Sequence, residues 1–143
     1  MNSPIDELIY DALRSDTTLM EVTGGRIIST CTEVAPYESD NTPLPYMIIT
    51  YDGMQVQDQT KDDIYDGGTD VEEVSVEICT ESRTALFPII KRIRKVVRDY
   101  FLNTDGDCPD DYTVRASGVN WDWEKPCYFQ TLTFQTYTEY EQD

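Results

Sequence analysis

The sequence predicts one α+β domain, residues 1–143, in which a mostly antiparallel sheet of four to five strands carries two main helices on one face. Three observations lead to this prediction. A length of 143 residues suits one compact domain. Apolar residues recur at helical spacing in two segments, one near the N-terminus and one after residue 82. Strand-like runs neighbour one another before and after the second helical segment, which favours hairpins and hence antiparallel pairing.

The first element is predicted to be a helix that ends near Arg14. Ser3 can cap it, and Pro4 fits its first helical position, where a missing N–H costs nothing. Its apolar residues follow the i, i+3, i+4, i+7, i+8 pattern of a helix with one buried side: Ile5, Leu8, Ile9, Ala12 and Leu13.

A short helix and two strands follow. Asp16 can cap the short helix, and the glycines at 24 and 25 can end it because they adopt positive φ at low cost. A strand is predicted at 26–30. Residues 32–45 contain three prolines and are predicted to be a loop that runs into a strand at 46–51, which is rich in β-branched and aromatic residues.

The segment at about 52–70 is predicted to be a long flexible loop between two strands. It is polar and contains several glycines, and loops of this length in compact domains are usually functional or mobile. The strand after it has one buried and one exposed face, because apolar and polar residues alternate: Val74, Ser75, Val76, Glu77 and Ile78.

The longest helix is predicted to start at Ser82 or Thr84 and to end near Leu102. Pro88 predicts a kink or a late start, since proline lacks the N–H of a regular helix. With residues placed 100° apart, apolar side chains gather on one side of this helix: Leu86, Ile90, Ile93, Val97, Tyr100 and Phe101.

Two strands are predicted to close the chain, at 112–116 and 127–139, after a turn-rich connector at 103–111. Trp121 and Trp123 lie between them, and packing in the core or between subunits explains them better than a ligand platform. In the last strand the predicted buried residues are Tyr128, Leu132 and Phe134, and the opposite face carries Thr131, Thr133, Gln135 and Tyr137.

Charge and composition exclude several functional classes. The chain has 28 Asp and Glu against 11 Lys and Arg, a formal charge of −17. An acidic surface repels phosphate, which disfavours a free-standing nucleic-acid binder and a protein of anionic membranes. The absence of histidine excludes Ser-His and Cys-His nucleophile pairs and histidine-ligated zinc, and with them most ordinary hydrolase chemistry. An enzyme is therefore the least favoured functional class, after a structural protein and a binding module.

No metal or cofactor site is expected either. Cys31, Cys79, Cys108 and Cys127 are too far apart for a C-x-x-C motif, and since the N-terminus has no export signal we expect reduced, packed thiols. The acidic turns at 62–70 and 103–107 lack the register of a calcium loop and are best explained as solvated turns.

One cluster of basic residues interrupts the acidity. Five of the eleven cations fall between positions 91 and 98, with no acid among them: Lys91, Arg92, Arg94, Lys95 and Arg98. Subtracting these five positive charges from −17 leaves −22 on the rest of the chain. The cluster is either a contact surface for an acidic partner, such as another copy of the chain, or a solvated helix face that balances the domain's own field. Direct DNA binding is a third, weaker explanation.

The order of these elements resembles the tail-completion, or tail-terminator, proteins of tailed bacterial and archaeal viruses, which join the tail to the head. The resemblance covers almost the whole chain. It rests on the following segments: 4–16, 19–25 before Arg26-Ile27, Leu44-Pro45-Tyr46-Met47-Ile48-Ile49, 74–79, Glu81-Ser82-Arg83 before the long helix, and 128–137.

The resemblance implies a virion protein of the tail and neck that assembles in the host cytoplasm. In that family a small α+β subunit forms a ring, usually of six copies, that stops tail-tube polymerisation and joins the tail to the capsid connector. The implied partners are other copies, the tail tube protein and a connector or stopper protein, with DNA passing through the lumen and no membrane. No catalytic residue or cofactor carries over.

The acidity, the 52–70 loop and the basic helix differ from the family pattern. They leave two alternatives, another ring protein of the neck or a monomeric module that binds a partner through the 52–70 loop. A ring requires two different patches on each subunit. The basic cluster is one candidate, and the other consists of acids in the loop: Asp58, Asp62, Asp63, Asp66 and Asp70.

Overall fold

The computed structural model of the chain describes residues 5–29, 43–55, 69–103 and 111–139. Within these ranges the chain forms three helices and six strands. In chain order they are α1 (Ile5–Arg14), α2 (Thr17–Thr23), β1 (Ile27–Ser29), β2 (Tyr46–Gln55), β3 (Thr69–Thr80), α3 (Arg83–Asn103), β4 (Asp111–Ala116), β5 (Asn120–Asp122) and β6 (Cys127–Glu139).

The strands form one sheet in the order β1-β2-β3-β6-β4, and β5 pairs with the start of β6. Only the β1–β2 pair is parallel among the described pairs. The predicted α+β class is therefore confirmed. The sheet has one strand more than expected. The additional strand is β5, which is only three residues long and therefore too short to show the alternation of apolar and polar residues that predicts a strand.

The hydrophobic core lies between one face of this sheet and the helices. Met47 and Ile49 of β2 lie opposite Ile78 and Val76 of β3, and all four side chains are buried. Leu132 and Phe134 of the neighbouring strand β6 lie on the same buried face of the sheet. Both helical apolar sides predicted from the sequence pack on this face, and no helix formed by the described residues covers the other face of the sheet.

The ends of α2 are as the sequence predicts. Asp16 has an extended backbone, and its carboxylate accepts a hydrogen bond from the Leu19 N–H at 3.0 Å. Gly24 follows the helix at φ 62°, and its N–H and that of Gly25 donate to carbonyls of the last turn.

Helix α3 begins at Arg83, so the late start inferred from Pro88 is wrong. The Ser82 hydroxyl caps the helix by accepting from the Ala85 N–H at 3.2 Å. Pro88 removes the donor that would meet the Thr84 carbonyl. Both residues are exposed, so water can take over that hydrogen bond.

Strands β2 and β3 reach further into the segment 52–70 than predicted. Residues 52–55 and 69–70 belong to strands, and 56–68 lie outside the described residues. The pairing register shifts between Tyr51 and Gly53, and Gly53 has φ 128°. Asp52 and Gly53 are turn formers in the sequence, but here they form an irregularity within a continuing strand. No helix in the described part of the chain is long and apolar enough to cross a membrane.

Candidate functional site: two opposite surfaces

The outward side of α3 carries the basic cluster between two exposed apolar side chains. Phe87 is 63% exposed and Leu102 is 75% exposed. Between residues 87 and 102, six side chains fall within one sector of about 100° of the helix circumference, at 100° per residue. We call this set the α3 stripe: Phe87, Lys91, Arg94, Lys95, Arg98 and Leu102.

Few contacts within the subunit use the cations of the α3 stripe. Lys91 Nζ lies 4.7 Å from the centre of the Phe87 ring. Asp99, at the margin of the stripe, lies 3.9 Å from Lys95 Nζ and 3.4 Å from Arg98 Nε. Among the described residues no carboxylate lies within 4.0 Å of Lys91 or Arg94. The stripe is therefore a surface of net positive charge.

Arg92 differs from the other four cations. It points along the helix layer and binds both carboxylate oxygens of Asp16, whose side chain is only 10% exposed. These hydrogen bonds hold the pKa of Asp16 below its ordinary value. The pair borders a shallow groove of about 300 Å³ beside α3. Arg92 thus has a structural partner within its own subunit.

The face of the sheet away from the helices is mostly polar and partly exposed, although the apolar Ile48, Val71 and Phe129 also lie on it and Val71 is buried. Side chains of the central strands alternate, so the neighbours of the buried Val74 and Phe134 point to this side. We call this set the open sheet face: Thr50, Asp52, Glu73, Ser75, Glu77, Thr113, Arg115, Thr131, Thr133 and Gln135. Thr131, Thr133 and Gln135, which the sequence predicts on the exposed face of the last strand, belong to it, and Tyr137 lies further along the same face, opposite Val71.

Acids outnumber bases on the open sheet face. It carries three carboxylates and one guanidinium. Arg115 Nη2 lies 3.9 Å from Glu73 Oε1, and the Ser75 hydroxyl donates a hydrogen bond to Asp52. Glu77 is the third acid and is partly exposed. The face has net negative charge and lies on the opposite side of the two-layer subunit from the α3 stripe.

The β5–β6 turn closes one end of the sheet. Tyr46, Cys79 and Cys127 form a small buried cluster there, and Lys125 Nζ lies 4.3 Å from the centre of the Tyr46 ring. Burial raises the pKa of the Cys79 thiol to about 12, and burial also raises the pKa of Cys127. Both thiols are free. Cys31 and Cys108 lie outside the described residues.

The two tryptophan rings pack against each other at this end of the sheet. Trp121 and Trp123 meet edge to face at 5.7 Å, and Trp121 also contacts the Tyr128 ring at 4.6 Å. Trp123 is 85% exposed. Trp121 thus takes part in packing, and Trp123 presents an indole to the surroundings.

Most of the 52–70 loop, whose acids were predicted to form the acidic patch of a ring contact, lies outside the described residues. Asp58, Asp62, Asp63 and Asp66 lie outside the described residues, and Asp70 lies in β3. Phe87 and Leu102 were not predicted to belong to a contact surface, although the same 100° spacing places them beside the outward cations of α3. In the described ranges no group of three or more Cys, Asp or Glu side chains could hold a metal ion.

Solved structures with a similar fold include one that aligns over almost the whole chain. It is a chain in the virion of a native gene transfer agent particle, with a TM-score of 0.53, 17% sequence identity, and 95% of each chain covered. At this identity the likeness shows the fold alone. No protein-family model matches the chain, and no curated protein matches it significantly.

Proposed function

We propose that the chain is a structural protein of a virion or virus-like particle. The observation that carries this proposal is the end-to-end likeness of fold to a chain of the gene transfer agent particle, with 95% of both chains aligned. The sequence resemblance to tail-completion proteins supports it independently, because that resemblance rests on the order of elements and on particular segments.

More specifically, we propose a tail-terminator role at the neck. In this role the chain forms a ring of six copies that ends the tail tube and joins the tail to the capsid connector. The tail tube protein lies on one side of the ring, and a connector or stopper protein lies on the other. This role needs no catalysis and no cofactor. The protein assembles in the host cytoplasm and remains in the virion.

The charges of the subunit suit such a ring. A closed ring requires a heterologous contact, in which one patch meets a different patch of the next copy. The α3 stripe supplies a basic patch on a chain of formal charge −17. The acids of the 52–70 segment remain a candidate for an acidic one. An acidic lumen neutralises few phosphates, so DNA passes without specific binding.

Electron microscopy of particles made without this protein tests the proposal. Tails of uncontrolled length, or finished tails that are not attached to capsids, support the tail-terminator role. Restoration by a supplied wild-type copy is the control. Normal virions contradict both the specific role and the general one.

The same micrographs separate the alternatives. Tails of normal length that fail to attach to capsids indicate another ring of the neck. A purified protein that is monomeric at every concentration and binds one soluble partner indicates a monomeric binding module.

A further inference from the structure

We propose that the α3 stripe of one copy docks on the open sheet face of the next copy. This inference rests on the ring in the proposed function and deepens it, because it names both halves of the subunit contact. Both halves consist of described residues, and the contact does not need the acids at 58–66.

The composition of the α3 stripe is that of a contact surface. Phe87 and Leu102 expose large apolar side chains about 22 Å apart along the axis, given a rise of 1.5 Å per residue. Between them lie four cations, and no acid falls within their 100° sector. Arginine and aromatic residues are enriched in protein interfaces. An ordinary solvated face in a chain with 28 acids and 11 bases would carry acids as well.

The open sheet face is the complementary surface. Its half-exposed hydroxyl and amide side chains surround Asp52, Glu73 and Glu77. The face spans four neighbouring strands, about 4.8 Å apart, and the central strands are 12 and 13 residues long. A helix about 10 Å in diameter and 22 Å long fits within this area. The charges of the two surfaces are opposite in sign.

Charge also determines the type of contact. A two-fold contact between like surfaces would put cations against cations, or carboxylates against carboxylates, which is unfavourable. The two surfaces lie on opposite sides of the subunit, so one subunit cannot bring its own pair together. Contact between unlike surfaces repeats from copy to copy, as a ring requires.

Zero-length carbodiimide coupling of the purified full-length chain tests the contact directly. This reagent joins a lysine amine to a carboxylate, and peptide mass spectrometry identifies the linked residues. We expect links from Lys91 or Lys95 to Glu73 or Glu77. Such links arise only between copies, because the two surfaces of one subunit face opposite ways. A ring that yields links only elsewhere overturns the inference.

A charge swap provides the second test. Lys91→Glu, Arg94→Glu and Arg98→Glu together reverse the stripe from four positive charges to a net charge of −2, and Glu73→Lys with Glu77→Lys reverses the sheet face from −2 to +2. By native mass spectrometry each of these variants should raise the concentration for half-assembly about tenfold or more, and the combined variant should recover most of the loss. The Glu73–Arg115 pair is exposed, so its loss should leave the fold intact, which thermal unfolding checks.

A matched control reverses acids elsewhere. Asp11→Lys with Glu21→Lys makes the same change in net charge on exposed residues of α1 and α2, and assembly should be unchanged. Equal weakening by this control and by the Glu73 and Glu77 variant would mean that net charge alone acts, and would overturn the inference.

The remaining outcomes separate this inference from the proposed function. A wild-type ring that neither the stripe variant nor the sheet-face variant weakens overturns the inference alone. A wild-type chain that is monomeric at every concentration, with normal virions in its absence, overturns both. Binding of short duplex DNA that is lost in the stripe variant would identify the stripe as a nucleic-acid surface instead.

Discussion

Arg92 of α3 binds both carboxylate oxygens of Asp16, the residue that caps α2. Its Nε donates to Oδ2 at 2.9 Å, and its Nη2 donates to Oδ1 at 2.5 Å. The Oδ2 atom also accepts from the Leu19 N–H at 3.0 Å. The Asp16 carboxylate therefore caps the N-terminus of α2 and also links α2 to α3, the helix that contains the α3 stripe.

Asp16→Asn should destabilise the fold at neutral pH by about 1 kcal/mol. The amide oxygen can still cap α2, but the ionic part of the pair with Arg92 is lost. Arg92 lowers the pKa of Asp16 in the folded chain below the ordinary value of 3.8. The carboxylate thus stabilises the fold above about pH 4, and this contribution is lost as the pH falls through the folded pKa.

Urea unfolding at pH 7 and pH 3 measures this effect. The difference in free energy of unfolding between wild type and Asp16→Asn should shrink at the lower pH. A difference of the same size at both pH values would show that the charge of Asp16 contributes nothing. Arg92→Lys provides a second comparison, because lysine cannot form the two-pronged contact.

Thr136→Val should stabilise the fold by about 1 kcal/mol. Thr136 is fully buried, and its hydroxyl has no hydrogen-bond partner among the described residues. Valine has nearly the same shape and suits a strand. Thr133→Val, on the open sheet face, is the control and should change stability by less than about 0.5 kcal/mol. A destabilised Thr136→Val in denaturant titration would indicate that the hydroxyl has a partner.

Local patterns made most of the fold predictable. The helices have clear periodicity, and α2 carries both its cap and its terminal glycines in the sequence. The end of β2 at 52–55 was not predicted, because Asp52 and Gly53 are typical turn residues. In the structure the strand continues through them with a shift in its pairing register at Gly53. The three-residue β5 is recognisable only from its pairing with β6.

The site was less predictable, because it depends on distant contacts. The 100° spacing of helical residues places Lys91, Arg94, Lys95 and Arg98 on the side of α3 away from its apolar residues. It could not show that Arg92 pairs with Asp16, which is 76 residues away in the chain. The α3 stripe and the acids of the open sheet face lie on opposite sides of the subunit. This arrangement depends on the order of the strands and on the side of the sheet on which the helices pack, and neither can be inferred from local patterns.

Cys79 and Cys127 should resist alkylation in the folded protein. Because burial raises the Cys79 pKa to about 12, only about one thiol in ten thousand is ionised at pH 8, and the thiolate is the reactive form. Iodoacetamide labelling followed by peptide mass spectrometry should modify both residues only after unfolding. Rapid labelling of either residue without denaturant would show that the cluster with Tyr46 opens in solution.

Gly24→Ala should destabilise the fold by about 1 kcal/mol, because Gly24 has φ 62°, where a Cβ is strained. An added Cβ would also lie 2.6 Å from Arg26 Nη1, but that flexible group can move aside. Gly24→Asn should cost less, since asparagine tolerates this conformation. Gly118→Ala is the matched control, with nothing within 4 Å of the added atom. In thermal unfolding, Gly24→Ala should have a midpoint temperature about 3 °C below that of the wild type, and Gly118→Ala should have a midpoint near that of the wild type. Equal midpoints for the two variants would contradict strain at position 24.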